Sequence, residues 1–179
     1  EFMRDQSYLA SVELAKERGA FPLFNADLYL SGGNFASRLP TQIKDAIRAH
    51  GMRNSHLLSI APTGTISLAF ADNASNGIEP SFAHHYSRNA IREGKKSKEK
   101  VEVFSFELLA YRELINGKAM PFSDKAEEKL PDYFVAADDI TPTEHVDIQA
   151  ASQKWIDSSI SKTANVPTAY PYEEFKDIY

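Results

Sequence analysis

The sequence predicts an α/β fold, with strand-like apolar runs alternating with helical stretches and some parallel strand pairing. Three observations carry this. Leu57-Leu58-Ser59-Ile60 reads as a buried strand that feeds a Pro-Gly turn able to open a helix. Residues 158–163 alternate as a second strand just after a helical stretch. The composition, 42% apolar and 25% charged over 179 residues, is that of one ordinary globular domain.

The elements follow in chain order. Glu1-Phe2 ahead of Met3 reads as a cloning scar, which leaves residues 3–179 as a single domain. Residues 3–18 form a helix, with Leu9, Val12 and Ala15 or Lys16 at helical spacing and Gly19 as its stop. Leu28-Tyr29-Leu30 is a short apolar run that ends in a turn at Ser31-Gly32-Gly33-Asn34. Thr41 caps a helix that runs to His50, with Ile43, Ala46 and Ile47 on one face and Gly51 behind it. Residues 56–61 are the strand before the turn, and residues 72–77 are a polar loop. A strand lies around His85-Tyr86-Ser87-Arg88. Residues 105–115 are a helix stopped by Asn116-Gly117, and residues 123–130 a second one stopped before Pro131. Thr141-Pro142-Thr143-Glu144 is a helix start with cap, first-position proline and capping-box acid; that helix runs to about Trp155. Residues 170–179 begin a last helix, striped by Tyr172, Phe175 and Ile178 or Tyr179.

The turn between strand and helix carries the most chemistry. It reads Pro62, Thr63, Gly64, Thr65, Ile66, Ser67. The first N–H groups of a helix have no intrahelical partner, Gly64 lets backbone come close to an anion, and Thr63, Thr65 and Ser67 add donors. The residues fit a phosphate cradle, and they also fit a plain helix cap.

Longer blocks around this turn add a resemblance. Residues 53–67, then Asn76-Gly77-Ile78-Glu79-Pro80-Ser81-Phe82-Ala83, resemble the large catalytic chain of ribonucleotide reductase, its adenosylcobalamin-dependent class above all. So do Thr141-Pro142-Thr143-Glu144-His145-Val146 with residues 149–167, and Glu13-Leu14-Ala15-Lys16-Glu17-Arg18-Gly19-Ala20-Phe21-Pro22. The blocks stand in the family's order and span nearly the whole chain.

The resemblance implies the later part of an α/β barrel, strands inside and helices outside. It implies an oxidoreductase of deoxyribonucleotide synthesis in the cytoplasm, which removes the 2′-hydroxyl of a ribonucleoside diphosphate by radical chemistry begun on adenosylcobalamin. Pro62 through Ser67 correspond to the loop that clamps the substrate diphosphate. The polar strand, with Ser159, Ser161 and Lys162, would then face the active-site lumen; a solvent edge explains it equally. The family works through a cysteine thiyl radical and a cysteine pair, and this sequence holds no cysteine. The chain is therefore expected to be inactive alone, to need the preceding, cysteine-bearing part of the barrel as its partner, and to self-associate through surface that this part would cover. A rival reading is a non-catalytic nucleotide-binding or interaction module on the same scaffold.

Other features have plainer readings. The absence of cysteine excludes disulfides and thiolate metal sites. A net charge of −5 argues against general affinity for nucleic acid or anionic membrane. No apolar run reaches the roughly 18 residues of a membrane span. The basic run from Gly94 to Lys100 reads as a solvated hairpin tip. Neighbouring His84 and His85 point to opposite faces of a strand, so metal chelation by the pair is not expected. His56 is read as a strand histidine, Glu79 as structural rather than a general base, and Trp155 as core.

Overall fold

The computed structural model describes residues 1–70, 76–91, 94 and 97–178. The predicted polar-loop residues Asp72, Asn73, Ala74 and Ser75, along with Lys95 and Lys96 of the basic run, lie outside the described residues, as does Tyr179. The chain divides into two compact units, Glu1–Ile60 with Gln149–Ile160, and Ala61–Ile148 with Ser161–Tyr179.

The first unit is built on α1 (Phe2–Arg18), α2 (Ala26–Tyr29) and α3 (Thr41–His50). Tyr8, Val12 and Ala15 form the buried stripe of α1, spaced as a helix face requires. Tyr8 and Val12 join Ile43 and Ile47 of α3, and Ala36, Leu39 and Met52 complete a core whose members are at most 3% exposed. Gly19 and Gly51 end their helices with φ of +77° and +78°, as the sequence predicts. At Gly51 a side chain would also meet Ala20 Cβ at 2.8 Å, so both backbone and space require glycine there. Thr41 is the first residue of α3 rather than its cap; Pro40 holds the cap position. The run 28–30 belongs in part to α2, because the Asn25 side chain accepts from the Leu28 N–H and opens a helical turn.

The second unit holds α4 (Gly64–Phe70), β1 (His85–Ala90), β2 (Glu99–Phe104), α5 (Phe106–Leu114) and α7 (Tyr172–Phe175). The strands form an antiparallel pair with His85 opposite Phe104 and Ala90 opposite Glu99. β2 is the hairpin partner that the predicted tip at 94–100 implied without locating. Ser105 caps α5 by accepting from the Leu108 N–H at 3.2 Å. α6 (Pro142–Gln153) has residues in both units.

The α6 start forms the predicted capping box. The Thr141 N–H and hydroxyl donate to Glu144 Oε2 at 2.8 and 2.7 Å, and the Glu144 N–H donates back to Thr141 Oγ1 at 3.3 Å. These bonds hold the exposed Glu144 carboxyl below its ordinary value. A lowered carboxyl pKa means the folded state binds the proton less well than the unfolded chain. Its stabilising effect is therefore complete above the ordinary value of 4.5 and fades as pH falls through the lower folded value. The stability gap between the parent chain and Glu144→Ala is expected to shrink on acidification from neutrality to about pH 3, followed by urea unfolding at each pH.

Three further sequence expectations need correction. Residues 123–130 form turns, not a helix. Their backbone acceptors are taken elsewhere: Glu128 O accepts from the Met120 N–H and Glu127 O from Asn116 Nδ2. The two expected strands at 56–61 and 158–163 reduce to one parallel bridge, Ile60 to Ile160. The Ile60 N–H donates to Ser159 O at 3.1 Å and the Ser158 N–H to Leu58 O at 3.1 Å. Beyond the bridge, the Thr163 N–H goes to a side chain instead of a neighbouring strand. A strand needs partners along its length, and among the described residues these have few. The described residues thus mix helix and strand with one two-stranded sheet, and they do not by themselves close a barrel. Last, Trp155 is 40% exposed, not core, with the Arg4 guanidinium 5.1 Å from its ring.

Candidate functional site

The turn ahead of α4 has an asymmetric design. Thr63, not Gly64, takes the left-handed conformation, at φ +52°. A threonine there is strained by about 1–2 kcal/mol, so its surroundings must hold it. They do so through its hydroxyl oxygen, which accepts from the Gly77 N–H at 2.7 Å. The first helical bond then runs from the Ser67 N–H to Thr63 O at 2.9 Å. The N–H groups of Gly64, Thr65 and Ile66 precede that bond and have no hydrogen-bond acceptor among the described residues, which makes them the donor end of the helix. A Cβ built on Gly64 would meet nothing within 4 Å among the described residues.

The hydroxyls do not act alike. Ser67 is 4% exposed, and its Oγ lies 2.8 Å from Gly64 O and 2.5 Å from Asn76 Oδ1, so it faces inward. Thr63 gives its oxygen to Gly77 and keeps its proton to donate. Thr65 is exposed and offers its hydroxyl outward. Pro62 is exposed at the entry, and Ile66 is 59% exposed on the first turn. The sequence showed three candidate hydroxyls; the fold leaves two of them for a ligand.

The other singled-out residues separate in space. Ser159 and Ser161 are exposed on either side of buried Ile160, the alternation expected of a strand. Lys162 is half-buried and donates to His145 Nδ1 at 2.6 Å and to Thr163 O. His145 is 2% exposed; its Nε2 lies 3.3 Å from Ala137 O, which places the ring proton on Nε2 and the acceptor on Nδ1. Burial lowers the Lys162 pKa, against a partly opposing pull from Glu79. These groups line a cavity of about 590 Å³ with Ile78, Val135 and Ile148. Sequence reasoning missed His145, although its place one residue after the capping-box acid faces it inward.

His84 reaches Ser105 Oγ at 3.0 Å and His85 reaches Glu102 at 2.8 Å, on opposite sides of the hairpin start. His56 is exposed beside Ser55 and lines a separate cavity of about 300 Å³ with Tyr8, Tyr29 and Asp157 in the first unit. There the Asp157 carboxylate accepts from Tyr8 Oη at 2.7 Å and from the Leu57 and Leu58 N–H groups at 2.9 and 2.8 Å. Burial, and next the bond to Asp157, push the Tyr8 phenol far above its ordinary value, so it remains a donor.

The turn thus places a helix start behind a proline and braces it through Asn76 and Gly77. Comparison with known proteins gives the family. The family model described as ribonucleotide reductase, barrel domain, matches residues 1–179. A vitamin B12-dependent ribonucleoside-diphosphate reductase of Thermoplasma acidophilum is 32% identical over 185 residues, covering 99% of this chain and 22% of that protein. One from Mycobacterium tuberculosis is 32% identical over 188 residues, covering 99% and 24%. The alpha subunit of ribonucleoside-diphosphate reductase 1 from Salmonella typhimurium is 39% identical over 92 residues, 42% of this chain and 12% of that subunit. The chain belongs to the ribonucleotide reductase barrel-domain family, and it spans less than a quarter of the length of the vitamin B12-dependent relatives. No helix of the described residues is long and apolar enough to cross a membrane.

Proposed function

We propose that this chain supplies the substrate-diphosphate clamp of a cytoplasmic, vitamin B12-dependent ribonucleoside-diphosphate reductase. The observation that carries the reading is the open donor end at Gly64, Thr65 and Ile66, set in a segment with the family's order of blocks. The N–H groups and the hydroxyls of Thr63 and Thr65 take the phosphoryl oxygens. Holding the diphosphate fixes where the ribose sits, so that the reaction at its 2′-carbon becomes a matter of position rather than encounter. Ser67 shapes the turn from behind. Ser159 and Ser161 are proposed to face the lumen of the complete barrel, where residues 56–60 and 158–160 would run as neighbouring parallel strands; Lys162, one residue on and held by His145 and Thr163, would point to the other face. The Ile60–Ile160 bridge supports that arrangement.

Adenosylcobalamin would supply the radical when bound to the whole reductase. The cavities described within this chain reach about 640 Å³, the scale of a small ligand's pocket, and do not fit a corrin. No step is assigned to this chain through that group. With no cysteine, the chain also has no thiol to carry a radical or reduce a product. The purified chain, given adenosylcobalamin, a dithiol and a ribonucleoside diphosphate, is expected to form no deoxynucleotide by chromatographic assay. Product above the protein-free background would overturn the clamp-only role.

The remainder of the barrel is the proposed partner. Leu23, Leu114 and Phe122 are 90%, 80% and 97% exposed, the kind of surface another segment covers. The isolated chain is proposed to self-associate through such surface. Pyrophosphate should displace a bound nucleoside diphosphate, whereas the unphosphorylated nucleoside should not; the reverse order would refute the clamp.

A further inference from the structure

We propose that Glu79 is a positioning residue for the diphosphate clamp, acting through residues 76–79 as a strap that holds Thr63 in its strained conformation; this rests on the clamp reading above. The strap is a tight turn, with the Glu79 N–H donating to Asn76 O at 3.0 Å and Gly77 at φ +60°. One end of it grips the clamp twice. The Gly77 N–H donates to Thr63 Oγ1 at 2.7 Å, and Asn76 Oδ1 accepts from Ser67 Oγ at 2.5 Å. The other end is fixed by the Glu79 carboxylate, whose Oε1 accepts from the Thr163 N–H at 2.6 Å, 84 residues away in sequence.

The geometry makes Glu79 the far anchor of a short lever. Thr63 at φ +52° would relax toward a common conformation unless its hydroxyl stays engaged. That engagement depends on where Gly77 sits, and Gly77 is two residues from Glu79. When Thr63 turns, the directions of the Gly64 and Thr65 N–H groups turn with it. Glu79 needs no contact with substrate to act on binding. Pro80 behind it limits the freedom of the strap's exit. Lys162, Glu144 and His145 line the same cavity as Glu79, and Lys162 is the cation among them whose charge acts on it.

The test separates the hydrogen bond from the charge. Glu79→Gln keeps a carbonyl oxygen for the Thr163 N–H and loses the charge. Glu79→Asp keeps the charge and draws the oxygen back by one methylene. Glu79→Ala loses both. In ligand-free chain, solvent exchange of the Gly77 amide is expected to speed up about tenfold in Ala and Asp and to stay near the parent rate in Gln. ADP affinity, followed by amide shifts at 63–67, is expected to fall about fivefold in Ala and Asp and less than about twofold in Gln. Unchanged amide shifts at 106–114 report an intact fold. If Ala does not fold, Asp against Gln decides.

Gly77 exchange and ADP affinity that ignore Glu79, or that follow charge so that Gln fails and Asp binds, overturn the proposal. Gly77 exchange that follows Glu79 in a chain that binds no ADP supports the strap and removes the clamp reading instead.

Discussion

Asp157→Ala is expected to lower the unfolding free energy by about 2–4 kcal/mol, because one carboxylate answers three donors. The Tyr8 side chain is 1% exposed and sits in the first unit's core, so its hydroxyl loses a charged acceptor and keeps only Tyr29 and the adjoining cavity for partners. The Leu57 and Leu58 N–H groups are half-buried and recover part of the loss. Asp157→Asn keeps one acceptor oxygen and is expected to cost about half as much. Tyr8→Phe in the Asp157→Ala background should recover part of the loss, since one of the three donors is then gone. Urea midpoints of the four chains check this. Equal midpoints for the parent and Asp157→Ala would show that the carboxylate does not brace residues 57–58.

Gly64→Val is expected to weaken nucleoside diphosphate binding by about tenfold or more, equivalent to about 1.4 kcal/mol. The protein itself has room for the side chain, since nothing lies within 4 Å of its Cβ position. In the proposed clamp, the new methyl groups would stand where the phosphoryl oxygens come. Stability should change by less than about 1 kcal/mol, as Gly and Val differ modestly at a helix end. Thr65→Ala removes one exposed donor and is expected to cost about threefold in affinity. Ser67→Ala is expected to loosen the turn, because its hydroxyl bonds inside the protein.

Much of this was legible in the sequence wherever a local rule decides. Helix ends at Gly19 and Gly51 and the Thr141–Glu144 box need only their own residues, and each formed. The strands at 56–61 and 158–163 depend on neighbours, and only Ile60 and Ile160 found each other among the described residues. The misread helix at 123–130 failed for a similar reason: Asn116 and Met120 claim its carbonyls, which no local pattern announces. At the site, the sequence located the turn through its proline, glycine and hydroxyls. It could not rank those hydroxyls, because the ranking comes from Asn76 and Gly77 beyond the helix. Glu79 was legible as structural, while its partner Thr163 was hidden by 84 residues of separation.

The clamp itself is tested most directly by titrating the chain with a nucleoside diphosphate and following backbone amide shifts. The amides of residues 63–67 are expected to move together, with a dissociation constant in the millimolar range or weaker, since one anion site supplies only about 4 kcal/mol. The unphosphorylated nucleoside should leave them in place. If residues 63–67 stay still while other amides shift, or if Gly64→Val binds as tightly as the parent, the turn is a helix cap and not a diphosphate clamp.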